Sequence, residues 1–159
     1  MRLAVLAIGR LKDGPERDLC LRYQERSAAM ARALGFSGPD MAEMPESRAR
    51  RADDRKREEA SALGTKISPG GIVILDERAK AITSEALAAC LSAARDRGQP
   101  AMHFVIGGAD GLEPELMARA ERGISFGAMT LPHQLVRVLV LEQIYRAMTI
   151  CAGHPYHRA

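Results

Sequence analysis

The 159-residue chain predicts an α/β domain, a mainly parallel sheet with helices on both faces. Apolar runs of strand length alternate with helix-length stretches from one end of the sequence to the other. Two runs, Ile72-Val73-Ile74-Leu75-Asp76 and Met102-His103-Phe104-Val105-Ile106, lack polar alternation, as central strands covered on both faces do. Glycine or proline turns follow the strands, where open α/β folds build their ligand sites.

The first strand is residues 3–8, which stop at Gly9-Arg10. Together with Met1-Arg2 this run is too short for a signal h-region or a membrane span. Gly14-Pro15 then leads into a helix over 16–34, with Leu19, Tyr23 and Met30 at roughly helical spacing, and Gly35 ends it. Residues 40–44 form a weak extended segment before Pro45. The stretch 46–63 is the most charged in the chain, with Arg48, Arg50, Arg51, Asp53, Asp54, Arg55, Lys56, Arg57, Glu58 and Glu59. Its acids nearly balance its bases, which fits a solvated helix, although the same residues could track phosphates.

Gly70-Gly71 introduces the strand 72–76, and Thr83-Ser84-Glu85 starts a helix that ends near Gly98. After the strand 102–106 come a short helix over 113–122, a strand over 124–130 and a final helix over 132–150. No internal repeat or linker divides the sequence, so residues 1–159 read as one domain, long enough to bury about two thirds of its unfolded surface. Aromatics are only 4% with no Trp, so the core must be Leu, Ile, Val, Ala and Met.

A net charge of +3 excludes the broad basic footprint of a histone-like protein, so nucleic acid is permitted but not demanded. Cys20, Cys90 and Cys151 are odd in number, far apart and set in apolar surroundings. That fits reduced buried thiols in a cytoplasmic protein, not disulfides or a metal site.

Chemistry concentrates in three places. Gly107-Gly108-Ala109-Asp110-Gly111 follows a buried strand, where paired glycines permit close approach of backbone to a ligand or a tight turn at positive φ. It is not Gly-x-Gly-x-x-Gly and has no P-loop lysine, so neither a dinucleotide site nor an NTPase is supported. Thr130-Leu131-Pro132-His133 opens the last helix, and Pro132 is explained by its preset φ at a helix start.

That helix is apolar nearly all round, through Leu135, Val136, Val138, Leu139, Val140, Leu141, Ile144 and Met148, which favours an oligomer interface. Arg137, Glu142, Gln143 and Arg146 break the pattern. Glu142 and Arg146, four apart with Glu first, suit either a solvent-facing ion pair or a pocket wall where a carboxylate accepts a proton and an arginine holds phosphate.

The terminus His154-Pro155-Tyr156-His157-Arg158 is the third place. Tyr156, His157 and Arg158 offer a stacking face, a titratable donor and a phosphate fork, the groups used on looped or single-stranded RNA; a tail packed for structural reasons is the alternative. His154 and His157 are three apart, but Pro155 interrupts any helix and no neighbouring Asp, Glu or Cys completes a ligand set, so no metal is expected.

With these residues assembled, the sequence resembles the RlmH family, small SPOUT-class methyltransferases of large-subunit ribosomal RNA. The likeness runs end to end. It is carried by Leu75-Asp76, Ile106-Gly107-Gly108-Ala109-Asp110-Gly111, Thr130-Leu131-Pro132-His133, Val136-Arg137-Val138-Leu139, Tyr145-Arg146-Ala147 and His154-Pro155-Tyr156-His157-Arg158. Gly9-Arg10-Leu11-Lys12 and Pro45-Glu46-Ser47-Arg48-Ala49-Arg50 also look like the family.

The resemblance implies transfer of a methyl group from S-adenosylmethionine to N3 of a pseudouridine in a 23S rRNA stem-loop, on assembled ribosomes, by a homodimer with a deep trefoil knot. It implies a cofactor pocket of Leu75, Asp76, Gly107, Gly108, Gly127, Ala128, Met129, Thr130, Leu131 and Pro132. His154, Tyr156, His157 and Arg158 would bind RNA beside the cofactor held by the partner subunit, and Glu142 and Arg146 would line the same mouth. Glu142 and His157 are the candidate bases for the N3 proton, and Arg146 or Arg158 would stabilise charge on the base carbonyls. Gly153 stands where the family commonly has Asn, and Gly127 where Ser is common. Two other readings stay open: a dimeric ribosome-binding module without chemistry, and a SPOUT methyltransferase acting on another RNA base.

Overall fold

The computed structural model describes residues 1–158. Five parallel strands form one sheet in the order β2-β1-β4-β3-β5: β1 Arg2–Ile8, β2 Ser37–Met44, β3 Gly71–Leu75, β4 Ala101–Ile106 and β5 Arg122–Ile124. The centre of the sheet is β1, β4 and β3. Every residue of β4 is buried, and its register sets Phe104 beside Val5 on one side and Val73 on the other. Burial on both faces is why these strands carry unbroken apolar runs.

The two faces are covered by different helices. On one lie α1 (Pro15–Ala31), α3 (Ser84–Asp96) and α5 (His133–Cys151), packed over Leu3, Val5, Val73, Phe104 and Ile106. On the other, α2 (Ala52–Gly64) and α4 (Pro114–Ala118) bring Leu63 and Leu116 against Leu6, Ile8, Ile74 and Val105. Most apolar residues of α5 find cover within the chain: Val140, Leu141, Ile144 and Met148 are fully buried, and only Leu135 among its large apolar residues is 43% exposed. The near-continuous apolar character of this helix is therefore explained in large part by packing on α1 and α3, ahead of any partner.

Several boundaries differ from the expectation. The extended segment at 40–44 belongs to a full strand that begins at Ser37, and the helix expected over 16–34 ends in a 3-10 turn closed by Gly35 at φ 75°. The charged helix starts at Ala52, not at 46, because residues 47–50 are engaged elsewhere: Ser47 Oγ accepts from the Ala49 N–H, and Arg55 donates to the carbonyls of Ala49 and Arg50. The helix expected over 113–122 is α4 alone, with the Glu113 carboxylate capping the N–H groups of Glu115 and Leu116.

The largest correction concerns 124–130. Only Ile124 belongs to a strand, and 125–132 is a loop. Ser125 Oγ accepts from the Gly127 N–H at 3.0 Å and donates to the Gly127 carbonyl at 2.7 Å, a local closure that takes backbone groups away from a ladder. Gly127 itself sits at φ 125°. Of the thiols, Cys20 is buried as expected, while Cys90 and Cys151 are only partly buried; all three are free.

Candidate active site

The parallel strands β3, β4 and β5 all point their carboxyl ends to one side, so the segments after Leu75, Ile106 and Ile124 converge there. Between them lies a cavity of about 500 Å³, a volume within the range of small-molecule sites. Leu75, Ile106, Leu112, Ile124, Leu131 and Val136 give it an apolar lining, and Asp76, Glu77, Asp110 and Thr130 a polar rim.

The walls are tied to one another. The Asp76 N–H donates to the Ile124 carbonyl at 3.1 Å, an isolated bridge joins Ala81 to Ser125, and Thr130 Oγ1 donates to Glu77 Oε2 at 2.8 Å. The Asp76 side chain faces its own turn, accepting from the Arg78 N–H at 2.8 Å.

Of the residues expected to hold a cofactor, Leu75, Asp76, Gly107, Gly108, Gly127, Met129, Thr130 and Leu131 line this cavity. Ala128 lies in the same loop and Pro132 caps the start of α5, but neither lines it. Met129 is 80% exposed, and His133, which the sequence reading left without a role, lines the cavity.

The paired glycines have a protein cause. A Cβ on Gly107 would meet Leu112 Cγ at 2.9 Å, and one on Gly108 would meet Glu59 Oε2 at 2.5 Å. A side chain at either position would have to displace Leu112 or the Glu59 carboxylate, so neighbouring side chains favour glycine here whatever the cavity holds. Gly111, at φ 84°, supplies the turn. Asp110 is held by Arg55 through two bonds, Nε to Oδ2 at 2.6 Å and Nη2 to Oδ1 at 2.9 Å. That bonding holds the Asp110 carboxyl below its ordinary range.

The tail folds back on its own chain. Tyr156 packs edge-on against Tyr145, with ring centroids 4.7 Å apart, and the Arg146 guanidinium lies 4.8 Å from the Tyr156 ring centre. Glu142 is the hub of this cluster. Its Oε1 accepts from Arg146 Nε at 2.9 Å, Arg146 Nη2 at 2.6 Å and Tyr156 OH at 3.1 Å, while Oε2 accepts from Gln143 Nε2 at 2.7 Å. Burial, with hydrogen bonding to Tyr23 and Glu142, pushes the Tyr156 phenol well above its ordinary range, so it remains a donor. Bonding to Glu142 likewise raises Arg146. The Glu142–Arg146 pair is thus partly buried, at 14% and 27% side-chain exposure, and is not a solvent strip.

His157 Nε2 stands 2.7 Å from Glu85 Oε1 without hydrogen-bond geometry, and both ring nitrogens are buried without a hydrogen-bond partner. His154 Nδ1 accepts from the Tyr156 N–H at 3.1 Å, which fixes the turn around Pro155. Arg158 is exposed. In the single chain these residues do not line the loop cavity. A smaller recess connects the two regions: Glu85 and Gln143 line it together with 124–127, which also border the main cavity. Ser84 Oγ closes its side by donating to Gln143 Oε1 at 2.7 Å.

Arg137, singled out by its apolar neighbours, is 2% exposed and donates to the carbonyls of Ile8 at 2.5 Å and Gly9 at 3.0 Å. It ties α5 to the carboxyl end of β1 and touches neither region. Glu77 and Glu85 carry no signal in the sequence, because the groups they approach, Thr130 and His157, are 53 and 72 residues away, and Glu59 lies against Gly108, 49 residues away. Among the described residues no group of three or more His, Cys, Asp or Glu side chains is placed to hold a metal ion, and no helix is long and apolar enough to cross a membrane.

Comparison with known proteins adds to this geometry. A family profile described as "Predicted SPOUT methyltransferase" matches residues 1–157. A protein of Bradyrhizobium sp. is 59% identical over 161 residues, covering 100% of each chain. One from Methylobacterium radiotolerans is 56% identical over 99% of this chain and 98% of its own length, and one from Rhodopseudomonas palustris is 57% identical over 100% of both. Each of the three is named "Ribosomal RNA large subunit methyltransferase H".

Proposed function

The chain belongs to the SPOUT methyltransferase family, and from that premise we propose that it transfers the methyl group of S-adenosylmethionine to N3 of a pseudouridine in 23S rRNA. The observation that carries this reading is the convergence of Leu75-Asp76, Gly107-Gly108 and the 125–132 loop on one cavity at the carboxyl ends of β3, β4 and β5. The donor set fits the cofactor: an apolar floor for a planar base, with exposed carboxylates at the rim for its amine and hydroxyl groups. Leu75, Ile106, Leu131 and Val136 would hold the adenine, and Asp76, Glu77 or Thr130 the polar portions. When bound, S-adenosylmethionine supplies an electrophilic sulfonium methyl.

The work left to the protein is alignment of N3 with that methyl carbon and removal of the N3 proton. Of the two candidate bases, His157 is the better placed. Glu142 is taken up by four donors, which leaves its carboxylate little acceptor capacity. His157, by contrast, has no hydrogen-bond partner at either ring nitrogen, with Nε2 2.7 Å from Glu85 Oε1, so no other donor occupies its imidazole. Glu142 then positions Arg146 and Tyr156, and Arg158 supplies charge for the base carbonyls.

In one chain the tail and the cavity are adjacent but separate, so we assign the complete site to a homodimer in which the tail of one subunit serves the cavity of the other. The strapping of 76–83 across Ile124, Ser125 and Thr130 supports a threaded, knotted C-terminal region. The substrate is taken as the assembled ribosome, which presents the stem-loop ready-made. Calorimetry with S-adenosylmethionine tests the premise of chemistry: a saturable heat signal is expected, and none at concentrations well above micromolar would leave only a binding module.

A further inference from the structure

We propose that residues 47–51 form a preordered RNA-docking arm, locked to the cofactor loop by Arg55 and Glu59; this rests on the RNA methylation proposed above. The charged stretch looked balanced in sequence, but the fold separates its charges. Along α2 the bases are paired with acids, Arg55 with Asp110, Lys56 with Asp53 and Arg57 with Asp54. Arg48, Arg50 and Arg51 are exposed, and none of them forms an ion pair among the described residues. The arm therefore carries three exposed arginines without an ion-pair partner among the described residues, on one short loop.

It is also held in shape before any ligand arrives. Ser47 donates its N–H to Glu59 Oε1 at 3.0 Å and its hydroxyl to Glu58 Oε2 at 2.5 Å, and Arg55 Nη1 donates to the Ala49 and Arg50 carbonyls, each at 3.0 Å. The remaining nitrogens of the same guanidinium hold Asp110 in the Gly107–Gly111 turn. One planar fork thus joins the arm to the cavity wall, as a lysine in its place could not.

Glu59 makes the second link. It is 6% exposed, and its Oε2 has no partner and lies against Gly108. Lys56, on the turn between Arg55 and Glu59, lines the cavity. A ligand gripping the arm is therefore held at a fixed offset from the cofactor. Exposed cations on a held backbone outside a substrate cavity suit the phosphates of the RNA backbone flanking the target base.

The test uses full-length protein with ribosomes as substrate. In Arg48→Gln/Arg50→Gln/Arg51→Gln, we expect KM for ribosomes to rise at least tenfold and the log–log salt dependence of binding to become shallower by about 2, since each released phosphate contact contributes about 0.7 to 0.9. Unmoved KM and salt slope would overturn the arm.

Arg55→Lys keeps the charge but loses the fork. It is expected to weaken S-adenosylmethionine binding several-fold and to lower kcat as well as raise KM. Wild-type values in this variant would overturn the link. A wild type that methylates no ribosomal RNA would defeat the underlying function, whereas normal wild-type transfer with an unaffected triple variant defeats the arm alone.

Discussion

His157 and Glu85 come from opposite ends of the C-terminal half of the chain and approach to 2.7 Å, with neither ring nitrogen of His157 hydrogen-bonded. If Nδ1 of His157 takes the N3 proton, His157→Gln keeps the tail's size and polarity but removes the base. Methyl transfer is then expected to fall about 100-fold or more, with S-adenosylmethionine affinity within twofold of wild type. Single-turnover assays beside calorimetry separate the two quantities, and a near-normal rate would return the role to Glu142.

A second histidine sets an acid limit. His103 is fully buried in β4, with Nδ1 at 3.1 Å from the Gly71 carbonyl and Nε2 within reach of the Ser68 N–H and hydroxyl, a pattern that suits the neutral ring. Burial depresses its pKa below the ordinary 6.5. Stability is therefore full above the ordinary imidazole range and declines as pH falls through that range toward the lower folded value. Urea midpoints should drop between about pH 7 and pH 5, and His103→Gln should flatten that drop. An equally steep decline in the variant would place the acid limit elsewhere.

At the scale of elements, what the sequence disclosed depended on whether local pattern and tertiary environment agreed. Strands β1, β3 and β4 were legible because burial on both faces leaves them apolar at nearly every position. The run Ile124-Ser125-Phe126-Gly127-Ala128-Met129-Thr130 has a strand's composition, yet the Ser125 hydroxyl closes a turn on Gly127 and the run becomes cavity wall. The paired glycines were legible as a special loop but not their cause, since Glu59 lies 49 residues before Gly108.

The tail was legible as chemistry but not as structure. Its anchors Arg146, Tyr145 and Glu142 lie 10, 11 and 14 residues before Tyr156, on α5, and Tyr23 and Glu85 come from α1 and α3. Deleting residues 156–159 is expected to abolish methyl transfer while leaving cofactor binding and the proposed dimer nearly intact. The deletion also uncovers the Tyr145 ring face, so a fall in Tm of a few degrees is expected. A truncated protein that methylates at the normal rate would show that the tail only packs.

For the whole molecule, the sheet divides the labour. Helices α1, α3 and α5 on one face carry the tail cluster, and α2 on the other carries the arginine arm, while the cavity opens at the strand ends between them. In the proposed homodimer, where the partner's tail serves this cavity, a substrate would meet tail and arm together, a geometry suited to a stem-loop held by a large assembly. Activity on assembled ribosomes and little on free 23S rRNA is expected; equal rates on both would remove the assembly from the account.

The most direct measurement is methyl transfer itself. Wild-type protein is incubated with isotopically labelled S-adenosylmethionine and ribosomes that lack the modification, and the digested 23S rRNA is resolved by nucleoside mass spectrometry. The account predicts label in a single N3-methylated pseudouridine approaching one per ribosome. Label on a different nucleoside, or none on 23S rRNA, would contradict it.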